Sequence, residues 1–182
     1  AARGDPGDMT TVRPFKCSDL FAYNDVNVDA LTETYGLAFY LQYLGTWPEY
    51  FSAATTADGQ IMGYVMGKCE GEGELWHGHV SAVTVAPGYR RQGLAKRLMG
   101  ELEEVTERAH DGYFVDLFVR ESNALAIGMY EKFGYTVYRR VLNYYSGEED
   151  AFDMRKAMRR DAAKKSIVPS KKDWKPWELE WQ

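Results

Sequence analysis

The chain has 182 residues, enough for one domain with a full hydrophobic core and short for two. Its formal net charge of −5, with acidic and basic residues interspersed, disfavours bulk binding to nucleic acid. No run is apolar for long enough to span a bilayer, nothing reads as a signal peptide, and Cys17 and Cys69 form no metal or disulfide spacing, so composition predicts a soluble domain of a reducing compartment, without a metal.

Residues 1–8 (AARGDPGD) are small, polar and turn-prone and precede Met9, a natural initiator. They are expected to be a cloning leftover or a disordered extension, with the domain over residues 9–165 and a tail at 166–182. Thr10 to Phe15 predicts a short strand, and Ser18-Asp19 a helix start before Leu20. Residues 35–51 (YGLAFYLQYLGTWPEYF) are dense in aromatics, with Leu37, Tyr40, Leu41 and Leu44 at helical spacing. Tyr50 to Ala54 and Ile61 to Lys68 flank Asp58-Gly59, a hairpin signal, and a Gly/Glu-rich loop leads into a strand over Leu75 to Val85.

After Gly93, a helix places Leu94, Leu98, Leu102 and Val105 on one face and stops at Asp111-Gly112. Tyr113 to Val119 is a nearly unbroken apolar run, as in a buried strand. Ser122 is placed to cap a helix from Asn123 to Phe133, with Gly134 as its stop. Thr136 to Tyr145 and Ala151 to Ala157 read as a closing strand pair. The tail is basic and Trp-rich, without periodicity. The order predicts an α/β domain with a mixed sheet, antiparallel in its first half and βαβ-like around residues 80–120.

The stretch SAVTVAPGYRRQGLAKRLM, residues 81–99, carries the first chemical signal. A strand ends at Pro87-Gly88 and a helix begins near Gly93, and a helix start exposes unpaired N–H groups and partial positive charge. Gly93 and Ala95 lack bulk, so a phosphate can approach the backbone, and Arg90 and Arg91 add charge-assisted hydrogen bonds. The spacing R-x-x-G-x-A suits a diphosphate, although alone it is equally a surface turn with a packing glycine. Neither a Walker Gly-Lys-Ser/Thr nor a G-x-G-x-x-G is present.

With the Asn123-x-x-Ala126 helix that ends MYEKFGY about thirty residues later, the motif resembles the GNAT superfamily of acyl-CoA-dependent N-acetyltransferases. The stretches LTETYG, WPEYF, WHGHV, FVDLFVR, YYSGEED and DMRKAM resemble, within it, the catalytic subunits of NatB-type N-terminal acetyltransferases. The resemblance runs from Met9 to about Pro169. It implies a mixed sheet of about seven strands with a splayed parallel pair at its centre, flanked by about four helices.

It further implies acetyl-CoA as co-substrate, transfer to proteins that begin Met-Asp, Met-Glu, Met-Asn or Met-Gln, and a large helical-repeat auxiliary subunit that brings ribosome association. A cytoplasmic location follows, with no membrane and no direct nucleic-acid contact. The backbone of Val83 and Val85 would hold the pantetheine arm. Arg90, Arg91, Gln92, Gly93, Leu94 and Ala95 would hold the diphosphate, with Asn123 and Tyr130 beside the cofactor. Glu33, Tyr35, His79, Ser81, Phe118, Arg120, Asn123, Tyr144 and Tyr145 would meet the peptide.

Several residues keep a plainer alternative. Tyr130 would donate a proton to the departing thiolate, by the family pattern; otherwise it packs and hydrogen-bonds near a helix end. Asn123 either caps its helix or, if Ser122 caps it, contacts a ligand. His77 and His79 share one face of a strand, where His79 suits an acidic second residue, by charge when protonated or by an N–H when neutral; otherwise it is a core histidine. No third metal ligand is evident beside them. His110 reads as an exposed helix end.

Phe118 packs on a substrate methionine or in the core. Glu33 near an α-ammonium makes electrostatic sense, against a solvated loop glutamate. Tyr144 and Tyr145, as strand neighbours, should face opposite ways. The aromatic segment 35–51 and the tail 171–182 are candidate docking surfaces, or simply core.

An α-amine has a pKa near 8, so attack on a thioester needs a base to take its proton; Glu33 or His79, through water, are the candidates. Neither cysteine has an adjacent histidine to support a covalent acyl-enzyme, which points to direct transfer. Competing readings are a GNAT acting on lysine side chains or small amines, and an acyl-CoA-binding module without catalysis.

Overall fold

The strands follow the β-branched and aromatic runs of the sequence. The structure, a computed structural model, describes residues 10–28 and 32–179, so residues 1–8 lie outside the described residues. Seven strands form: β1 (Thr11–Pro14), β2 (Phe51–Thr55), β3 (Ile61–Glu70), β4 (His77–Val85), β5 (Phe114–Arg120), β6 (Thr136–Tyr145) and β7 (Glu149–Ala157). Their hydrogen-bonded order is β1-β2-β3-β4-β5-β7-β6. Pairing is antiparallel for β1–β2, β2–β3, β5–β7 and β6–β7, and parallel for β4–β5. The expected mixed sheet, with an antiparallel first half and a parallel pair at its centre, is present.

Three α-helices occur among the described residues: α1 (Leu37–Thr46), α2 (Leu94–Arg108) and α3 (Ala124–Lys132). The helix expected at Ser18-Asp19 closes only as a 3₁₀ turn, Cys17–Phe21. Its Asp19 carboxylate pairs with Arg13 at 2.6 Å and accepts from the Lys16 amide at 2.8 Å, which ties the turn to β1. In α2 the residues at i, i+4 and i+8, namely Leu94, Leu98 and Leu102, are buried.

The chain divides into two compact units, one of Ala1–Gly67 with Ala82–Leu102, the other of Lys68–Ser81 with Glu103–Gln182. The first has an aromatic core. Phe15 stacks on Phe51 with ring centroids 4.1 Å apart, and Tyr40 and Tyr64 are fully buried beside them. The aromatics of segment 35–51 thus go largely inward, Tyr40 and Tyr43 among them, whereas Leu37 and Leu41 are the exposed apolar residues of α1.

The second unit is built on β5, whose residues Phe114 to Leu117 are all buried. That matches the apolar run, except that Asp116 sits inside it. Against β5, β7 contributes Asp153, which accepts from Arg139 Nε at 2.8 Å and from Arg155 Nη2 at 3.1 Å. The Arg155 guanidinium also lies 3.6 Å from the Tyr138 ring centroid. The tail is not independent of the sheet. Trp174 donates its amide to Arg140 O at 2.9 Å and its carbonyl accepts from Leu142 at 2.8 Å, so it pairs alongside β6. Its ring carries Arg139 at 4.5 Å, while Trp177 remains 62% exposed. No helix among the described residues is long and apolar enough to cross a membrane.

Candidate active site

In the first unit, the site residues gather on β4 and the turn that follows it. Gly93 has φ +80° and Arg91 φ +65°, and this left-handed bend turns the chain from the 3₁₀ turn Pro87–Tyr89 into α2. The first amide of α2 to find an intrahelical acceptor is that of Arg97, on Gly93 O at 3.1 Å. The amides of Leu94, Ala95 and Lys96 therefore belong to the open end of the helix. Arg91, Gln92 and Gly93 are exposed, Ala95 is half-buried and Leu94 is buried as the first anchor of the helix. The bend places backbone N–H groups and partial positive charge at a helix start, with arginines beside it. Arg90 turns back along the strand, and its Nε donates to Val85 O at 3.0 Å.

The loop that bears Glu33 and Tyr35 is tied to the same strand. Thr32 Oγ1 lies 3.4 Å from Thr84 Oγ1, and Thr84 Oγ1 donates to Val26 O at 3.3 Å. Thr84 stands between Val83 and Val85, so this loop is held beside the strand segment expected to hold a pantetheine arm. Tyr35 stacks on Phe39 at 4.3 Å, and its amide points at Tyr40 Oη, 3.4 Å away. Tyr40 Oη is in turn 3.3 Å from Tyr64 Oη, which donates to Asn27 Oδ1 at 3.0 Å. Burial, then the neighbouring Tyr40 hydroxyl, pushes the Tyr64 phenol far above its ordinary range, so it stays a neutral donor.

In the second unit, the parallel β4–β5 ladder runs from His77–Phe114 to Val80–Leu117 and ends there; Ser81 and Phe118 are the next residues on each strand. His77 and His79 share one face, as their spacing predicts, and both meet Asp116. His79 Nδ1 is 2.7 Å from Asp116 Oδ1, and His77 Nε2 is 3.4 Å from the same oxygen. His77 Nδ1 is 2.6 Å from Leu75 O. Burial alone would raise the Asp116 carboxyl, but the two imidazoles hold it well below the usual carboxylate range. Burial would likewise lower His77, yet Asp116 and Glu70 raise it above its ordinary value.

Glu70, His77 and His79 each bring one ligand-type atom within 4.8 Å of the others. Both Nδ1 atoms are already engaged, with Leu75 O and Asp116, and the group is a hydrogen-bonded network in this structure. Composition and motif reading did not single out Asp116. Its signal was the one acid in an apolar strand run, since a buried charge requires partners and the neighbouring strand carried two histidines.

Phe118 continues that face. The His79 ring centroid is 5.8 Å from that of Phe118, which stacks on Tyr144 at 4.7 Å. Tyr145 donates its hydroxyl to Phe118 O at 3.1 Å and carries the Arg120 guanidinium 4.1 Å from its centroid. Tyr144 and Tyr145 were expected to face opposite ways, but both turn to β5. The pairing register shifts between Val141 and Tyr145, and Asn143 takes φ +53°, which breaks the alternation.

Ser122 does not cap α3. Its amide and hydroxyl bond to Glu149, which also holds Arg120 at 2.8 Å. Asn123 is the cap, accepting from the Ala126 amide at 3.1 Å. On α3, Tyr130 is buried, edge-on to Tyr135 at 6.0 Å, and burial alone pushes its phenol above the ordinary range. His110 is half-buried rather than exposed: its carbonyl accepts from Trp76 Nε1 at 2.8 Å.

The bend and open helix start in the first unit, and the buried Tyr130 on α3 in the second, fall at the positions that the sequence motifs mark. The chain belongs to the acetyltransferase (GNAT) family, which it matches over residues 20–135. It is 58% identical over 173 residues to the N-terminal acetyltransferase B complex catalytic subunit NAA20 of Arabidopsis thaliana, covering 95% of this chain and 99% of that one. It is 64% identical over 163 residues to the N-alpha-acetyltransferase 20 of Dictyostelium discoideum, covering 90% and 94%. Among solved structures, Chaetomium thermophilum Naa20 in complex with a bisubstrate analogue superposes with a TM-score of 0.87 at 42% identity, covering 94% of this chain and all, 100%, of that one. A chain of the NatB acetyltransferase complex bound to a bisubstrate inhibitor superposes with a TM-score of 0.82, also at 42% identity, covering 93% and 99%.

Proposed function

We propose that this chain is the catalytic subunit of a NatB-type N-terminal acetyltransferase, which acetylates the α-amine of proteins beginning Met-Asp, Met-Glu, Met-Asn or Met-Gln. The observation that carries the reading is near full-length similarity to catalytic subunits of that type, together with the anion-binding bend at Arg90 to Ala95. Acetyl-CoA supplies an activated acyl group as a thioester. The α2 start, with Arg90, Arg91 and Gln92, would hold its diphosphate, and the Val83 to Val85 backbone its arm.

The chain's own part is to orient the amine and move protons. An α-amine with a pKa near 8 is mostly protonated at neutral pH, so a base must take the proton, and Glu33 or His79 through water has that role. Tyr130, kept neutral by burial, donates to the leaving thiolate. Asn123 keeps one face of its amide for a ligand after capping α3. The aromatic wall of Phe118, Tyr144 and Tyr145, with Ser81 and Arg120 beside it, receives the first residues of the peptide, and Tyr35 and Glu33 its amino end. Cys17 is exposed and Cys69 buried on β3, and direct transfer needs neither.

The catalytic domain takes in residues 9–165. An auxiliary subunit of helical-repeat type, ribosome association through it and a cytoplasmic location belong to this reading, and the exposed Leu37 and Leu41 of α1 suit a subunit contact. The test is acetyl transfer onto peptides beginning Met-Asp, Met-Glu, Met-Asn, Met-Leu and Ser-Glu, plus an N-blocked peptide with an internal lysine, with and without the co-expressed auxiliary subunit. Turnover confined to the first three is expected. Turnover only on the lysine peptide would overturn the substrate assignment.

A further inference from the structure

We infer that Trp174 is a positioning residue for the peptide: its segment of the tail holds the bulge in β6 that turns both Tyr144 and Tyr145 towards Phe118. This rests on the reading of the chain as an N-terminal acetyltransferase whose peptide meets that aromatic wall.

A strand that kept its alternation would send Tyr144 and Tyr145 to opposite faces. Asn143, with φ +53°, breaks the alternation. Both rings then reach β5, where Tyr144 stacks on Phe118 and Tyr145 donates its hydroxyl to Phe118 O. Asparagine enters the left-handed region more readily than most residues, but such a backbone persists only where its surroundings hold it. On the β7 side the holder is Asp150, which accepts from the Asn143 amide at 2.7 Å and pairs with Arg140 at 2.7 Å. On its other side β6 is the edge of the sheet, where no further strand meets its polar groups.

The tail supplies the missing side. Ser170 donates its amide to Tyr138 O at 2.7 Å, Trp174 donates to Arg140 O at 2.9 Å, and the Trp174 carbonyl accepts from Leu142 at 2.8 Å. Leu142 directly precedes Asn143, so the bulge is gripped from both edges. The indole fixes this register. Its Nε1–H donates to Ser170 Oγ at 2.9 Å, and its ring covers the Arg139 guanidinium, 4.5 Å from the centroid. Arg139 is buried and bound to Asp153, so the anchor beneath the ring is itself fixed. All of these residues belong to the second unit. A tail that only added stability would raise the folded fraction and leave peptide affinity unchanged, whereas a tail that shapes the wall alters peptide affinity itself.

The test uses the full chain co-purified with its auxiliary subunit. In Trp174→Ala the KM for a Met-Asp peptide should rise about tenfold, while kcat and the KM for acetyl-CoA change less than about twofold. Trp174→Phe keeps a ring over Arg139 and should bring the peptide KM back to within about threefold of the unmodified protein. A loss of kcat in Trp174→Ala with both KM values unchanged would assign the tail to stability alone and overturn the inference. If Trp174→Ala does not fold, the unmodified protein carries the test, because the coupling is reciprocal and a bound peptide must hold the tail in place. Hydrogen exchange at the Leu142 and Trp174 amides should then slow about tenfold when the Met-Asp peptide saturates the CoA-bound protein, and not with CoA alone. Equal exchange with and without peptide would overturn the inference and leave the acetyltransferase reading intact. Absence of turnover on every peptide by the unmodified protein would remove that reading, and the inference with it.

Discussion

Asn123 Oδ1 accepts a hydrogen bond from the Ala126 amide at 3.1 Å, so the residue that the motif marks for ligand contact is also the one that starts α3. Asn123→Ala removes a cap and should cost about 1 kcal/mol, or about 2–4 °C in Tm for a chain of this size. Ser122→Ala should leave the helix start intact and loosen only the Glu149 contact. Thermal melts of both variants separate these outcomes, and a Tm loss confined to Ser122→Ala would contradict the capping assignment.

Tyr130→Phe isolates the hydroxyl. Burial is what raises this phenol, and its ring lies edge-on to Tyr135, so Tyr130→Phe keeps the ring packing. Tm should stay within about 2 °C of the unmodified protein. If the hydroxyl is the proton donor, kcat falls at least about a hundredfold and KM for acetyl-CoA changes little. An unchanged kcat would assign Tyr130 to packing against Tyr135 alone.

Most of the sheet was legible because its strands carry their own signals. The run YFVDLFV announced a buried strand, and Asp58-Gly59 a hairpin. The bend before α2 was legible because Gly93 follows the Pro87-Gly88 turn and takes the left-handed φ of +80° that glycine accepts freely. What stayed hidden depends on contacts distant in sequence. Nothing local tells that Ser122 is drawn to Glu149, 27 residues away, leaving the cap to Asn123. Nothing local tells that a register shift near Asn143 turns Tyr144 and Tyr145 the same way. Asp116 was visible as an acid in an apolar run, but its partners are 37 and 39 residues earlier, and only the parallel register of β4 and β5 brings them together.

Gly78 shows how tightly β4 packs against α2 inside the second unit. A Cβ there would fall within the van der Waals shell of Thr106, whose side chain is fully buried. Gly78→Ala should therefore destabilise by about 1–3 kcal/mol through overpacking. Thr106→Ala in the same chain removes Oγ1 and Cγ2, the two nearest of the three crowding atoms, and should restore more than half of the loss, read as a coupling in urea-denaturation midpoints. Additive losses in the double variant would mean that the strand and helix shift apart instead.

The His77–Asp116 pair gives the stability a pH window. The two imidazoles hold the folded-state Asp116 carboxyl well below the ordinary carboxylate range, so its contribution is present above that range and lost only as pH falls through the depressed value. His77 has a folded-state pKa above 6.5, so its contribution is full below that ordinary imidazole value and lost as pH rises through the raised one. Both are satisfied together between the two ordinary values, and stability should decline on the alkaline side. In His77→Gln, which keeps a donor for Leu75 O but cannot carry charge, Tm should fall less between about pH 6 and 9 than in the unmodified protein. Equal slopes in the two proteins would show that His77 does not carry the pH dependence.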